Sequence, residues 1–330
     1  MKSVKKRILA GFMAAVMCCG LFTGCNKSKK TINIYSSAED YRNENARKML
    51  NEHFPEYDIN LIDIDTGSLA AKLAAEGKAS DIDIIMELET TYLEKCKDSL
   101  ATLDGVDFGV FEEEYVPADR KYTPWLLMSG AVIINKKTLE DKGVAVPTSY
   151  DDLVKPEYKG LISMPSPKSS GTGYIFLLNL VNERGEDAAF EYFDKLSANM
   201  SGQGFTTSGS GPVKALVQGE AAIGLGMTFQ AAQEIDNGTD LTILFFDEGA
   251  PYTTYSSAVV AGKDNEDVMK VFNYIVSDVS PEDKRLYNPE KIFKSQESTM
   301  TNFPANVPYG NMDGIRDIAL KEALLDKWKY

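Results

Sequence analysis

The sequence predicts an α/β fold built as two lobes joined by a hinge. From Thr31 the chain alternates short apolar strands with helical segments, the signature of a sheet flanked by helices. Near Tyr122 the alternation gives way to extended runs and restarts at Leu161, as expected for a second lobe inserted into the first. Once a 24-residue leader is set aside, the 330-residue chain keeps 306 residues, enough for two cores.

Residues 31–35 (TINIY) read as a strand and residues 39–54 as a helix, with Ser36 or Ser37 as its cap. A second strand, 57–64 (YDINLIDI), leads to an Ala-rich helix over 68–76, and a third strand covers 82–86. The loops at the carboxyl ends of these strands are where open α/β sheets bind ligands. They read Ser36-Ser37-Ala38-Glu39, Asp65-Thr66-Gly67-Ser68 and Glu87-Leu88-Glu89-Thr90. Two place hydroxyls directly before a helix and the third is acidic. Convergence of all three gives a site one anion-holding side and one cation-tolerant side.

Residues 124–128 and 131–135 are extended runs interrupted by Ser129-Gly130. The alternation resumes with a strand over 161–164, a loop and helix within 165–182, and helices over 188–196 and 213–217. A strand over 221–225, a helix opened by Thr228-Phe229-Gln230 and a strand over 241–246 follow. Residues 252–261 (YTTYSSAVVA) form a long extended run, and helices over 266–277 and 314–328 close the chain. The implied lobes are 31–127 with 256–330, and 128–255.

Residues 1–24 read as an export signal. Lys2, Lys5, Lys6 and Arg7 form a basic region, residues 8–22 an apolar one, and Thr23-Gly24-Cys25 a small-residue cleavage site. The apolar run is too short for a stable membrane span. LFTGC resembles a bacterial lipobox, with Phe22 standing where that pattern prefers Leu; the resemblance implies lipid on Cys25. Residues 25–30 then tether the body to the outer face of the cell membrane, which is periplasmic if the host has an outer membrane.

Losing four basic residues with the leader takes the formal charge from −14 to −18. So acidic a body repels nucleic acid and anionic surfaces, and an anion site on it must work through local dipoles. Cys18 and Cys19 leave with the leader and Cys25 takes lipid, so Cys96 has no partner for a disulfide or a thiolate metal site. The single histidine, His53, ends a predicted helix and reads as a surface residue; no nucleophile system or metal cluster forms around it. No cofactor is expected, and the chain does not read as an enzyme.

The stretch 165–182, PSPKSSGTGYIFLLNLVN, carries the most chemistry. Ser169-Ser170-Gly171-Thr172-Gly173 offers hydroxyls and backbone N–H groups immediately before an apolar run at helical spacing. The first turn of a helix has N–H groups without intrahelical partners and a partly positive dipole end, so it can hold an oxyanion without Arg or Lys. The same residues also serve as an ordinary N-cap.

Several segments, in this order behind the lipobox, resemble the type II periplasmic solute-binding proteins of bacterial ABC importers. They are IYSSAEDYRNENARKMLNEHFPEYDINL, WLLMSGAVIINKKTLEDKGVAVPTSYDDLVKPEYKGLISMPSPKSSGTGYIFL, GPVKALVQGEAAIGLGMTFQAA and YSSAVVAGKDNEDVMKVFNYIVS. The likeness is to the group carrying ferric ion, phosphonates, phosphorylated sugars, thiamine or polyamines. It implies two Rossmann-like lobes closing on a ligand, a monomer, and delivery to an ABC permease with its ATPase.

Carried onto this sequence, the resemblance places first-lobe contacts on Ser36, Ser37, Thr66 and Ser68. Second-lobe contacts fall on Ser169, Ser170, Gly171, Thr172 and Thr228. Each, taken singly, also fits capping or turn chemistry. Ferric-ion members present paired tyrosines where this chain has Met227-Thr228-Phe229, and Tyr252 and Tyr255 fit a hinge strand better. A phosphonate or phosphate ester is therefore expected, with Glu39, Glu87 or Glu89 available to an amine and Trp125 or Phe229 to a ring. Ferric ion, thiamine or a polyamine is the alternative within the group. A cleft hydrolase or transferase, and a lipoprotein sensor, are the alternatives outside it.

Overall fold

The computed structural model describes residues 29–202 and 204–330. The leader, Cys25 and residues 26–28 of the tether lie outside the described residues. The chain opens β1 (Lys30–Ser36), α1 (Asp40–His53), β2 (Tyr57–Asp63), α2 (Thr66–Glu76), β3 (Ile84–Glu89) and α3 (Thr90–Lys95). β1 pairs in parallel with both β2 and β3. Ile32 and Ile34 are fully buried in one core with Ala46 and Leu50 of α1. Tyr35 and Ile85 face a second core with Leu69 and Leu73 of α2. Cover on both faces accounts for the apolar Ile84-Ile85-Met86 start of the wholly buried β3, whereas β2 alternates buried and exposed residues.

After an irregular segment come β4 (Thr123–Ile134), α4 (Lys136–Lys142), α5 (Tyr150–Leu153) and β5 (Ile162–Ser163). Next are α6 (Gly171–Arg184), α7 (Glu186–Ser197), α8 (Gly211–Val217), β6 (Ile223–Met227), α9 (Thr228–Asp236) and β7 (Thr242–Leu244). β8 (Tyr252–Val259), α10 (Glu266–Tyr274), α11 (Ser280–Tyr287) and α12 (Ile318–Lys327) complete the set. The sheet order is β2-β1-β3-β8-β4-β6-β5, with β7 also on β4.

β4 holds the two halves together. Its residues 123–129 pair antiparallel with β8, and residues 130–134 pair with β6, with 132–134 also against β7. The expected interruption at Ser129-Gly130 is instead the place where a continuous, wholly buried strand changes partners. Gly130 is required by packing: a Cβ there would lie 2.8 Å from the Phe176 ring and 3.1 Å from Pro251. β8 returns alongside it and continues the first sheet through β3.

Two further expectations are corrected. The acidic loop 87–90 is strand and helix start: β3 runs through Glu89 and α3 opens at Thr90, so Glu87 and Glu89 are buried rather than solvated. The helix expected over 266–277 runs on through a π-helical turn, Ile275–Val279, into α11. That turn precedes the helix carrying the buried Asp283 and Lys284.

The C-terminal segment touches both lobes. Its Lys321 pairs with Glu89 at 2.5 Å and lies over the rings of Tyr92 and of Tyr174 on α6. Beyond α12, Trp328 packs on Phe193 and Phe205, and the carbonyl of Tyr330 accepts from Ser166 Oγ at 3.2 Å. His53 is exposed and stacks on Tyr274, and Cys96 is a free thiol.

Candidate ligand-binding cleft

A cleft of about 540 Å³ opens between the two sheets. One wall comes from the β1–α1 loop, the end of β2 and Glu87 of β3; the other from the loop entering α6 and the loop entering α8. Leu126 and Met128 of β4, Met227 of β6 and Tyr255 of β8 also line it. A Cβ on Gly67 would come within 3.6 Å of the Lys168 carbonyl, so the first turn of α2 and the loop before α6 already approach each other.

Of the residues expected at the site, Ser37, Thr66, Ser169, Ser170, Thr172, Glu39 and Glu87 share this cleft. Ser170 caps α6, its Oγ accepting from Thr172 N at 3.2 Å, which leaves its own hydroxyl proton to donate. Ser37 Oγ donates to the Glu87 carbonyl at 3.1 Å, so its remaining capacity toward the cleft is as an acceptor. Gly209, in the loop before α8, sits where a Cβ would lie 2.6 Å from Thr172 Oγ1 and 3.0 Å from Ser170 Oγ. Only glycine lets that loop, with Ser208 and Ser210, lie this close to the start of α6.

The other expected residues do not line the cleft. Ser36 is buried, its Oγ accepting from Ala38 N, while α1 is entered through Glu39 with no side-chain cap. Ser68 is exposed, its backbone N–H capped by Asp65. Gly171 packs directly under Tyr255 Oη. Thr228 is fully buried and bonds to Ser129 at the β4 crossing. Trp125 donates its indole N–H to Glu87, and Phe229 lies under the Arg42 guanidinium at 5.7 Å.

Glu39 and Glu87 belong to a buried charge network centred on Arg42. Its guanidinium bonds Glu39 at 2.9 Å, Glu87 at 2.8 Å and Asp283 at 2.8 Å, and Lys284 completes the group through Asp283. Burial pushes the Glu87 carboxyl up against the pull of Arg42. Burial also opposes ionisation of Asp283, yet Arg42 and Lys284 outweigh it and hold that carboxyl at about 2. Glu89 is likewise buried and paired with Lys321, away from the cleft wall.

Sequence reasoning missed Asp40, Asp63 and Asp65 on the first-lobe wall and Lys214 on the second; Ser208 and Ser210, whose sequence fits either a further contact or the turn before a helix, also line the second wall. Asp65 stands in a loop that precedes a helix, which was the available signal; Lys214 had none. Tyr255 was read as a hinge-strand residue; it lies on β8 and also faces the cleft. Burial and the Glu89, Glu87 and Glu39 carboxylates push its phenol well above the usual range, which opposes a phenolate there. Tyr252 packs edge-on against Tyr309 instead. No cluster of three or more His, Cys, Asp or Glu side chains suited to a metal occurs among the described residues.

Two α/β lobes joined through shared strands, with a polar cleft between them, define a type II periplasmic-binding-protein fold. The sequence profile of the bacterial extracellular solute-binding protein family matches residues 82–287, and the chain belongs to that family. Among curated relatives, an uncharacterized protein of Haemophilus influenzae is 34% identical over 140 residues, 42% of this chain and 40% of the relative. The phosphoglycerate transport regulatory protein PgtC of Salmonella typhimurium is 22% identical over 223 residues, 66% of this chain and 55% of its own length. The spermidine/putrescine-binding periplasmic protein of Escherichia coli is 24% identical over 191 residues, 54% of this chain and 51% of its own. The chain thus spans about half the length of the curated relatives it matches.

Among solved structures, the periplasmic binding protein AfuA of Actinobacillus pleuropneumoniae, with fructose-6-phosphate bound, superposes with a TM-score of 0.80 at 22% identity. The match covers 91% of this chain and 98% of AfuA. A periplasmic thiamin binding protein superposes with a TM-score of 0.73 at 20% identity, covering 91% of this chain and 96% of its own. At these identities the likeness concerns the fold.

Proposed function

We propose that this cleft captures a small phosphonate or phosphate ester, one bearing an amine in particular, and that the protein hands it to an ABC permease with its ATPase. The observation that carries this reading is the opposite chemistry of the two walls. The second lobe offers the hydroxyls of Ser169, Ser170 and Thr172 around the start of a 14-residue helix; the first offers carboxylates, including Asp40 and Asp65. Ser37 and Thr66 add neutral contacts from the first lobe.

A polyamine, suggested by the spermidine/putrescine-binding relatives, suits the acidic wall but leaves the second-lobe hydroxyls and Lys214 without a role. For ferric ion, Tyr252 packs edge-on against Tyr309 instead of joining Tyr255 on the cleft wall, so that expected pair is not assembled. For thiamine, the two expected ring contacts, Trp125 and Phe229, are turned to the Arg42 network. The protein does not act as an enzyme in this reading. It acts outside the cytoplasm, as a monomer held by lipid on Cys25.

Thermal unfolding tests the reading with 2-aminoethylphosphonate, glycerol 3-phosphate, fructose 6-phosphate, thiamine, putrescine and ferric citrate. A bound ligand at about a hundred times its Kd adds roughly 2.7 kcal/mol of stability. Stabilisation by phosphoryl or phosphonyl compounds alone is expected. Stabilisation by putrescine, thiamine or ferric citrate alone overturns it.

A further inference from the structure

Lys214 is the single cationic side chain on the cleft wall among the described residues. It lies on α8, four residues beyond Ser210, and is solvent-exposed. Its ammonium has no hydrogen-bond or ion-pair partner among the described residues, although the body is strongly acidic. The other charges on the wall are mostly satisfied internally: Glu39 and Glu87 by Arg42, Asp63 by Arg47, and Asp65 by the Ser68 N–H. Asp40, across the cleft on the first turn of α1, has no such partner among the described residues.

The close approach enforced by Gly209 brings the loop before α8 against Ser170 and Thr172, so Lys214 extends from the same side of the cleft as the hydroxyl cluster. Neutral donors and a helix N-terminus carry no full positive charge of their own. A flexible ammonium beside them adds a point charge that favours the dianion.

We propose that Lys214 is the specificity-determining residue of the cleft, selecting the doubly charged phosphoryl or phosphonyl headgroup over singly charged carboxylates. This rests on the proposed function and names the residue that sets its anion preference. Asp40 then faces the opposite end of the ligand, where an ammonium or hydroxyl groups are favoured.

The test compares the full folded body with Lys214→Met, Lys214→Arg and Ser170→Ala variants by calorimetric titration with glycerol 3-phosphate, 2-aminoethylphosphonate and glycerate, at low and high salt. Lys214 is exposed and Met is a good helix former, so folding is retained, which thermal unfolding checks. Lys214→Met is expected to weaken both phosphorus ligands by roughly 10- to 100-fold and to flatten the salt dependence of binding. Lys214→Arg restores most of the affinity, whereas Ser170→Ala weakens binding with the salt dependence unchanged. Equal affinity of wild type and Lys214→Met for glycerol 3-phosphate overturns the role of Lys214 while leaving the proposed function standing. If the wild type binds neither phosphorus compound, both fall together.

Discussion

Ser170 does two jobs at once, and they separate by substitution. As the cap of α6 its Oγ satisfies Thr172 N, and loss of such a cap costs about 1 kcal/mol. As a cleft donor it works together with Ser169 and Thr172. The triple alanine variant is therefore expected to lose roughly 100-fold or more in affinity for glycerol 3-phosphate while losing only a few kcal/mol of stability. Titration calorimetry and urea unfolding on the same sample check this; unchanged affinity places the site elsewhere. Glu290 supplies a second residue-scale expectation. It is buried beside the β4 crossing, accepting from Ser129 N at 2.9 Å and Tyr309 Oη at 3.0 Å. Burial pushes its carboxyl up to about 7 against those two bonds. Because the folded state holds this proton more tightly than the unfolded chain does, the stability it contributes is complete below about pH 4.5 and is lost as pH rises through about 7. In Glu290→Gln the effect disappears, so between pH 5 and pH 8 its stability relative to wild type should improve by about 2–3 kcal/mol in urea titrations. A pH-independent difference contradicts this assignment.

At the scale of elements, the approach to α6 is held by backbone packing as much as by hydroxyls. A Cβ on Gly173 would come within 2.7 Å of Pro167 N and of the Ser166 carbonyl carbon, both in the loop that feeds the helix. Gly173→Ala should force that loop outward, costing about 1–3 kcal/mol and most of the binding, as urea unfolding and titration with glycerol 3-phosphate would show. Normal binding by that variant means the loop position does not matter. The loop and helix were legible in the sequence because small hydroxylated residues stood directly before an apolar run. The reason for Gly173 was not, since it depends on the loop folding back onto its own helix. Likewise the alternation of strands and helices was readable from periodicity. The fate of Glu87 and Glu89 was not, because their burial depends on Arg42, Asp283 and Lys321 from elements far along the chain. Ser129-Gly130 looked like a break because glycine interrupts an apolar run; only the strand's exchange of partners explains a continuous β4. Lys214 followed no motif and entered the site solely through the placement of α8.

At the scale of the molecule, the lobes are connected by β4 and β8, and the C-terminal segment lies across both, with Lys321 on the Glu89 side and Trp328 packed against α7. Domain closure in such a body shifts an equilibrium between states that already exist, by as much as the ligand prefers one of them. The chain holds just two tryptophans, and each reports on a different part of this machinery. Trp125 touches Glu87, a cleft-lining carboxylate, and lies under Lys284 at 5.0 Å, so a ligand that perturbs this network alters the field on one indole. Trp328 sits among Phe193, Phe205 and Tyr330, remote from that field. Replacing Trp328 with Phe should leave a protein whose tryptophan emission, excited selectively over the 16 tyrosines, comes from a single indole and shifts upon ligand addition. Under the proposed function, ligand capture and release to a permease would then be visible optically, with no dye attached.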